Sequence, residues 1–208
     1  MRYQSKPRVR VHVPPRYVTY RSCQRCLRLE FEYRCVYCQA REPDVGPGAR
    51  CGGFEIEHFR PQSRFRKLVN RYGNLAWSCA ECNAAKGDAW PSDEERELGY
   101  GFPEVDAALG DHLEVLDDLV KPRTRPGEYL VDTVNLNSRL HQRRRERRRT
   151  AERRLTTLGN ILTARRKNMT AAECSAFEAE LNAIRHQLFG DPWDAVERCP
   201  CAATPKAR

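Results

Sequence analysis

The 208-residue chain lacks any uninterrupted apolar run of the roughly eighteen residues that a membrane-crossing helix needs, which excludes a protein built on such helices. Its first residues, MRYQSKPRVR, lack the apolar stretch of a secretory signal, so the expectation is a soluble cytoplasmic protein with no membrane partner. Acid is absent from residues 1–22, which carry six Lys or Arg with Tyr3, Tyr17 and Tyr20 between them and a Pro14-Pro15 stop. That composition suits an extended arm that tracks a phosphate backbone, drapes over the body, or stays a solubilising tail. What is present in excess is positive charge. A formal net charge of +9, made mostly by arginine, calls for a polyanionic partner such as nucleic acid.

Ten cysteines would mean a disulfide scaffold in a small secreted domain. Here they come largely as close pairs in a chain with no signal, which favours metal. Cys35 with Cys38 and Cys79 with Cys82 have two residues between them, so each pair reaches one zinc ion through a tight turn, and four thiolates close a tetrahedral site. Cys23 and Cys26 have the spacing of half a second, structural zinc site, and Cys199 with Cys201 could supply the other half, stapling the arm to the C-terminus. Cys51 and Cys174 stand alone, Cys174 as a core residue.

The composition divides the chain into a basic arm (1–33), a metal-braced unit (34–90), a Pro- and Gly-rich stretch (91–135), an Arg-rich helical segment (136–190) and a tail (191–208). In 91–135 the expectation is loops with short strands near Glu114–Leu116 and Tyr129–Val131. Leu140, Ala151, Leu155, Leu158 and Leu162 share a helical face, although Arg144 and Arg147 interrupt it, so the start of this helix is not an ordinary buried one. A second helix opens at Thr170-Ala171-Ala172-Glu173 with capping-box spacing and carries Phe177, Leu181, Ile184 and Leu188 at steps of three and four. The two make an antiparallel hairpin. The fold class is therefore α+β: a small zinc-braced unit followed by a C-terminal helical hairpin.

The stretch FEIEHFRPQ (Phe54–Gln62) sets an acid beside an imidazole at a strand end marked by Pro61. Neighbours on a strand point to opposite faces, so Glu57 and His58 share a pocket only if the strand ends or bends there. In order along the chain stand CVYC (Cys35–Cys38), IEH (Ile56–His58), YGNLAWSCAEC (Tyr72–Cys82) and NAAKG (Asn83–Gly87). This series resembles the HNH endonucleases, the zinc-braced branch of the His-metal-finger nucleases, over about a quarter of the chain. The resemblance implies a β-hairpin packed on one helix with a catalytic ion between them, the first strand ending at His58 and the helix starting near Ala80. By the same resemblance His58 is the general base, Asn74 holds the hairpin loop and orients the histidine, and Glu57 and Asn83 ligate Mg²⁺ or Mn²⁺. Lys86 would sit over the scissile phosphate. Asn83 stands where most relatives have a histidine, and Glu57 where many have Asp. Four thiolates leave zinc no open position, so zinc is a brace and the chemistry belongs to the second ion and His58. Glu55 is expected to be solvated, and His112 and His141 to be surface residues.

Arg139–Arg154 holds nine arginines against Glu146 and Glu152, spread around the helix as a cationic rod. Contact with duplex phosphates through Arg143, Arg144, Arg147 and Arg148 is the expected use, with a solvated helix or one docked on an acidic partner as the alternatives. Phe59, Pro61 and Ser63, then GDHLEV and TVNLNSRLHQRR, are similar to HNH proteins of retron-associated and Septu-type anti-phage systems. That likeness implies a defence role beside an ATPase or another protein subunit. The alternative to a nuclease is a non-catalytic zinc module that binds nucleic acid or serves a larger complex.

Overall fold

Two cysteine pairs and one long hairpin organise the centre of the molecule. The computed structural model describes residues 3–12, 19–45 and 53–189. Pro14, Pro15, Tyr17, Cys51, Cys199 and Cys201 lie outside them. A 3-10 turn (Tyr20–Cys23) leads into α1 (Gln24–Glu30), and the one-turn α2 (Glu42–Val45) follows the first metal-type pair. Strands β1 (Phe54–His58) and β2 (Leu75–Cys79) pair antiparallel, with His58 opposite Leu75 and Phe54 opposite Cys79. Helix α3 (Ala80–Lys86) begins directly after β2, with Cys79 as its N-cap, so the second cysteine pair straddles a strand end and a helix start.

Beyond α4 (Asp93–Glu97) come α5 (Leu109–His112), a second hairpin of β3 (Leu113–Leu116) and β4 (Leu119–Pro122), and α6 (Arg125–Thr133). The strand expected at Tyr129–Val131 is thus part of a helix. Thr124 caps it by accepting from the Gly127 N–H at 3.2 Å, and Pro126 sits in its first turn, so cap chemistry overrides the β preference of Tyr and Val. Gly127 is required there, because a Cβ would stand 2.2 Å from the His112 carbonyl oxygen. Asn135, at a positive φ of 52°, stops α6.

The hairpin–helix unit does not stand alone. Leu27 of α1 and Phe31 just after it, Trp77 of β2, Leu113 and Val120 of the second hairpin, and Leu130, Val134 and Leu136 form one apolar core with it, each fully buried large side chain contributing about 1.5–3 kcal/mol. Residues 3–12 are draped over this core. Tyr3 is buried, the Arg8 N–H donates to the Asp106 carbonyl at 2.7 Å, and Gly110 N–H donates to the Gln4 carbonyl at 2.7 Å. Arg10 binds Asp106 and the Tyr72 carbonyl, and Arg8 the Glu30 carbonyl, so these two arm cations serve the body of the protein.

Helix α7 (Arg139–Arg165) and α8 (Ala171–Phe189) form the antiparallel hairpin, joined by a 3-10 turn at Arg166–Asn168. Thr170 and Glu173 make the capping box: the Thr170 N–H donates to Glu173 Oε2 at 2.8 Å, and the Glu173 N–H donates to Thr170 Oγ1 at 3.3 Å. The seam buries Ala151, Leu162, Leu181 and Ile184. Leu140 is 45% exposed, because the first turns of α7 turn a different face inward, made of His141, Arg145 and Arg148.

Candidate active site and metal centre

The polypeptide from Cys35 to Cys38 makes a tight turn, with the Cys35 N–H donating to the Ala40 carbonyl at 2.8 Å and Gln39 at a positive φ of 58°. Across from it lie Cys79 and Cys82. The four sulfurs lie within 4.8 Å of one another and are fully enclosed, and Cys38 and Cys79 sulfurs are 3.7 Å apart. With a zinc–sulfur bond of ~2.3 Å, two thiolates on a tetrahedral ion stand about 3.8 Å apart. The donor set therefore fits zinc in number, softness and spacing, and leaves no position for water.

His141, expected at the surface, is buried with Nε2 3.6 Å from the Cys82 sulfur, where an N–H donor would stabilise a thiolate. Ser138 caps α7 and so sets this turn against the cysteines. The neighbouring arginines follow. Arg144 pairs with Glu81 at 2.8 Å, Arg148 with Asp44 at 3.1 Å and Glu152 at 2.9 Å, and Arg145 donates to the Leu136 carbonyl at 2.9 Å. Of the four arginines expected to touch DNA, Arg144 and Arg148 are thus spent on docking α7, and Arg143 and Arg147 face solvent. Spacing alone does not reveal this, because Asp44 and Glu81 lie far from α7 in sequence.

His58 ends β1. Its Nε2 lies 2.9 Å from the Val69 carbonyl, and its ring meets the edge of Tyr20 at 4.8 Å between centroids. A carbonyl accepts only, so Nε2 carries the proton of the neutral ring and Nδ1 is the basic nitrogen. Burial lowers the pKa of this imidazole, which keeps it neutral. Asn74 locks the excursion between β1 and β2: its Oδ1 accepts from the Arg60 N–H at 2.9 Å, its Nδ2 donates to the Arg60 carbonyl at 3.1 Å, and its own carbonyl accepts from Phe59 N–H at 2.9 Å.

Glu57 leaves the strand on the face opposite His58 and is 2% exposed. Its Oε1 is 2.7 Å from Nζ of Lys86, which also donates to the His58 carbonyl at 3.1 Å. Burial pushes the Glu57 carboxyl up to about 7, opposed by the lysine. Lys86 itself is 2% exposed, so its ammonium lies inside the protein, not over a bound phosphate. Asn83 Nδ2 donates to Glu55 Oε2 at 2.7 Å, so the carboxylate that meets Asn83 is Glu55, exposed but not merely solvated. Glu55, Glu57 and the Asn83 Oδ1 are hard oxygen donors of the kind Mg²⁺ or Mn²⁺ takes. A divalent ion on Glu57 would take the place of the Lys86 ammonium.

Residues 59–73 contain Arg60, Arg64, Arg66, Lys67 and Arg71 and no acid. All but the half-buried Arg60 are exposed. This cationic loop beside His58 is legible in the sequence as a run without acid, overshadowed by the denser run of α7. Cys23 and Cys26 are buried at the start of α1. His112 bonds Thr124 at 2.7 Å, away from the other histidine sites.

The family model described as HNH endonuclease matches residues 35–89. The Septu protein PtuB of Bacillus thuringiensis is 31% identical over 104 residues, covering 50% of this chain and 37% of that protein. The chain thus spans little more than a third of that relative. No solved structure matches the chain significantly. No helix among the described residues is long and apolar enough to cross a membrane. Residues 35–89, with their cysteine cluster, hairpin and helix, are an HNH endonuclease domain.

Proposed function

We propose that the chain is a metal-dependent HNH endonuclease that hydrolyses phosphodiester bonds in DNA, working in the cytoplasm in a bacterial anti-phage or restriction-type system with an ATPase or other protein subunit. The observation that carries the nuclease reading is the His58 hydrogen bond to Val69, which leaves Nδ1 as a neutral base able to take a proton from water. Asn74 supports this by tying the chain after His58 to the start of β2. A divalent ion held by Glu57 and Asn83 would stabilise charge on the phosphate and on the leaving oxygen. Lys86 fixes the end of β1 through the His58 carbonyl, a contact that does not depend on what Glu57 holds. The similarity to a Septu protein supports the defence role and a protein partner. A second structural zinc on Cys23 and Cys26, completed by Cys199 and Cys201, belongs to the same reading.

The ammonium already seated on Glu57 favours one alternative, a non-catalytic zinc module in a defence complex. Supercoiled plasmid incubated with Mg²⁺ or Mn²⁺ separates the two. Wild-type protein is expected to nick or cut it, and His58→Ala to slow the reaction about 10²–10⁴-fold. An intact plasmid in every metal, with the co-purifying partner present, would leave the non-catalytic reading.

A further inference from the structure

Next to His58 the surface opens into a cleft of ≈ 390 Å³ lined by Phe59, Phe65, Trp90, Tyr100, Phe102 and Arg60, among others. A second lobe of ≈ 510 Å³ shares Phe59 and Arg60 and runs on to Arg71 and Tyr72. Volumes of roughly 300–1,000 Å³ are those of small-molecule sites. Three features suit a flat, electron-rich heterocycle attached to a phosphate chain. The aromatic rings pack edge to face, with Phe59 and Trp90 at 5.6 Å and Phe65 and Trp90 at 5.3 Å. The Arg60 guanidinium carbon lies 5.7 Å from the Trp90 ring centre, and Arg60 forms no ion pair among the described residues, so a planar cation is available for stacking. The Trp90 Nε1 donor is buried without a hydrogen-bond partner, a cost that a ligand acceptor would relieve.

The cleft adjoins the nuclease residues. Phe59 follows His58 in sequence, and the Lys86 ammonium that holds Glu57 lies 5.6 Å from the Phe102 ring. Its outer lip is the loop bearing Arg64, Arg66, Lys67 and Arg71, with no acid between residues 59 and 73. Glu104 is the acid in both lobes and offers an acceptor to a base amino group. Paired bases in a duplex hide their faces in the stack, so a base that enters the cleft must be unpaired.

We infer that this cleft is a nucleobase-binding subsite, so that the protein engages DNA at an unpaired nucleotide while the 59–73 loop holds the neighbouring phosphates. The inference rests on the nuclease reading for its place in catalysis, and its test reads binding alone. The His58→Ala protein, checked for an unchanged melting temperature, is titrated with a labelled single-stranded oligonucleotide and with the same sequence as duplex. A single strand carrying 5-iododeoxyuridine is photocrosslinked to it and the adduct mapped by mass spectrometry. Tighter binding of the single strand is expected, with Trp90→Ala and Arg60→Ala each lowering that affinity about 10-fold and leaving duplex binding unchanged. The crosslink is expected on Phe65, Trp90 or Tyr100. Trp90→Phe, which keeps a ring in the aromatic cluster, should retain most of the affinity. Equal affinity for both forms, or crosslinks that map away from the cleft, would overturn the subsite whether or not the wild-type protein cuts plasmid. A protein that cuts plasmid without the single-strand preference would likewise keep its nuclease activity and lose this inference.

Discussion

Two arginine-rich segments put the same residue type to opposite uses. On α7 the denser run turns Arg144, Arg145 and Arg148 inward, onto Glu81, the Leu136 carbonyl and Asp44, where they dock the helical hairpin on the cysteine cluster. The sparser run at 59–73 finds no acid of its own and leaves Arg64, Arg66, Lys67 and Arg71 in solvent beside His58. Charge density along a sequence therefore does not tell where cations are free. What decides it is whether the fold brings acids to them. Arg148 is the clear case, since its partner Asp44 sits on the turn after the first cysteine pair and no local pattern links them.

The largest break of this contrast is to disable the four-cysteine site beneath α7, which fits a zinc ion. The four sulfurs join the turn before α2 to the β2–α3 junction, and His141 rests on one of them. Chelation under reducing conditions, or Cys82→Ser, is expected to cost several kcal/mol and to loosen α7 as well as the hairpin. Zinc content by elemental analysis and the thermal transition would show it; a zinc-free protein with an unchanged transition would break the link between ion and docking. Next in size is the buried ammonium of Lys86. Lys86→Met leaves the Glu57 carboxylate without its partner and is expected to lower stability by about 3–5 kcal/mol in denaturant titration. The double variant with Glu57→Leu should recover much of that stability, because it is the unpaired charge that is costly. Smaller again is Arg148→Ala, about 1–3 kcal/mol, since its guanidinium binds two carboxylates while 7% exposed. Arg66→Ala is expected to change stability by no more than about 0.5 kcal/mol, and an effect as large as that of Arg148→Ala would mean that the loop is not the free surface described.

Much of the domain is legible in the sequence because its signals are local. CVYC and SCAEC mark the four clustered cysteines by spacing, Pro61 marks the end of β1, and Thr170 with Glu173 marks the start of α8. The partners of Glu57 and Asn83 are not legible. Lys86 and Asn83 are one turn apart on α3, and which of them reaches Glu57 depends on how α3 lies across β1, a tertiary fact. His141 escapes for the same reason: a lone histidine on an arginine-rich helix carries no sign that a cysteine sulfur awaits it. Tyr129–Val131 misleads differently, because its β-prone side chains compete with a helix start signal, Thr124 with Pro126 and Gly127, that lies just upstream and prevails.

The most direct test of where nucleic acid meets the chain is the salt dependence of DNA binding in two variant sets. Neutralising Arg64, Arg66, Lys67 and Arg71 to alanine is expected to flatten the slope of log K against log salt by roughly 3–4 units, about 0.7–0.9 for each phosphate that is no longer neutralised. Neutralising Arg144 and Arg148 is expected to lower the melting temperature and leave that slope unchanged. The reverse pattern, a flattened slope from the α7 pair and none from the loop, would contradict the account.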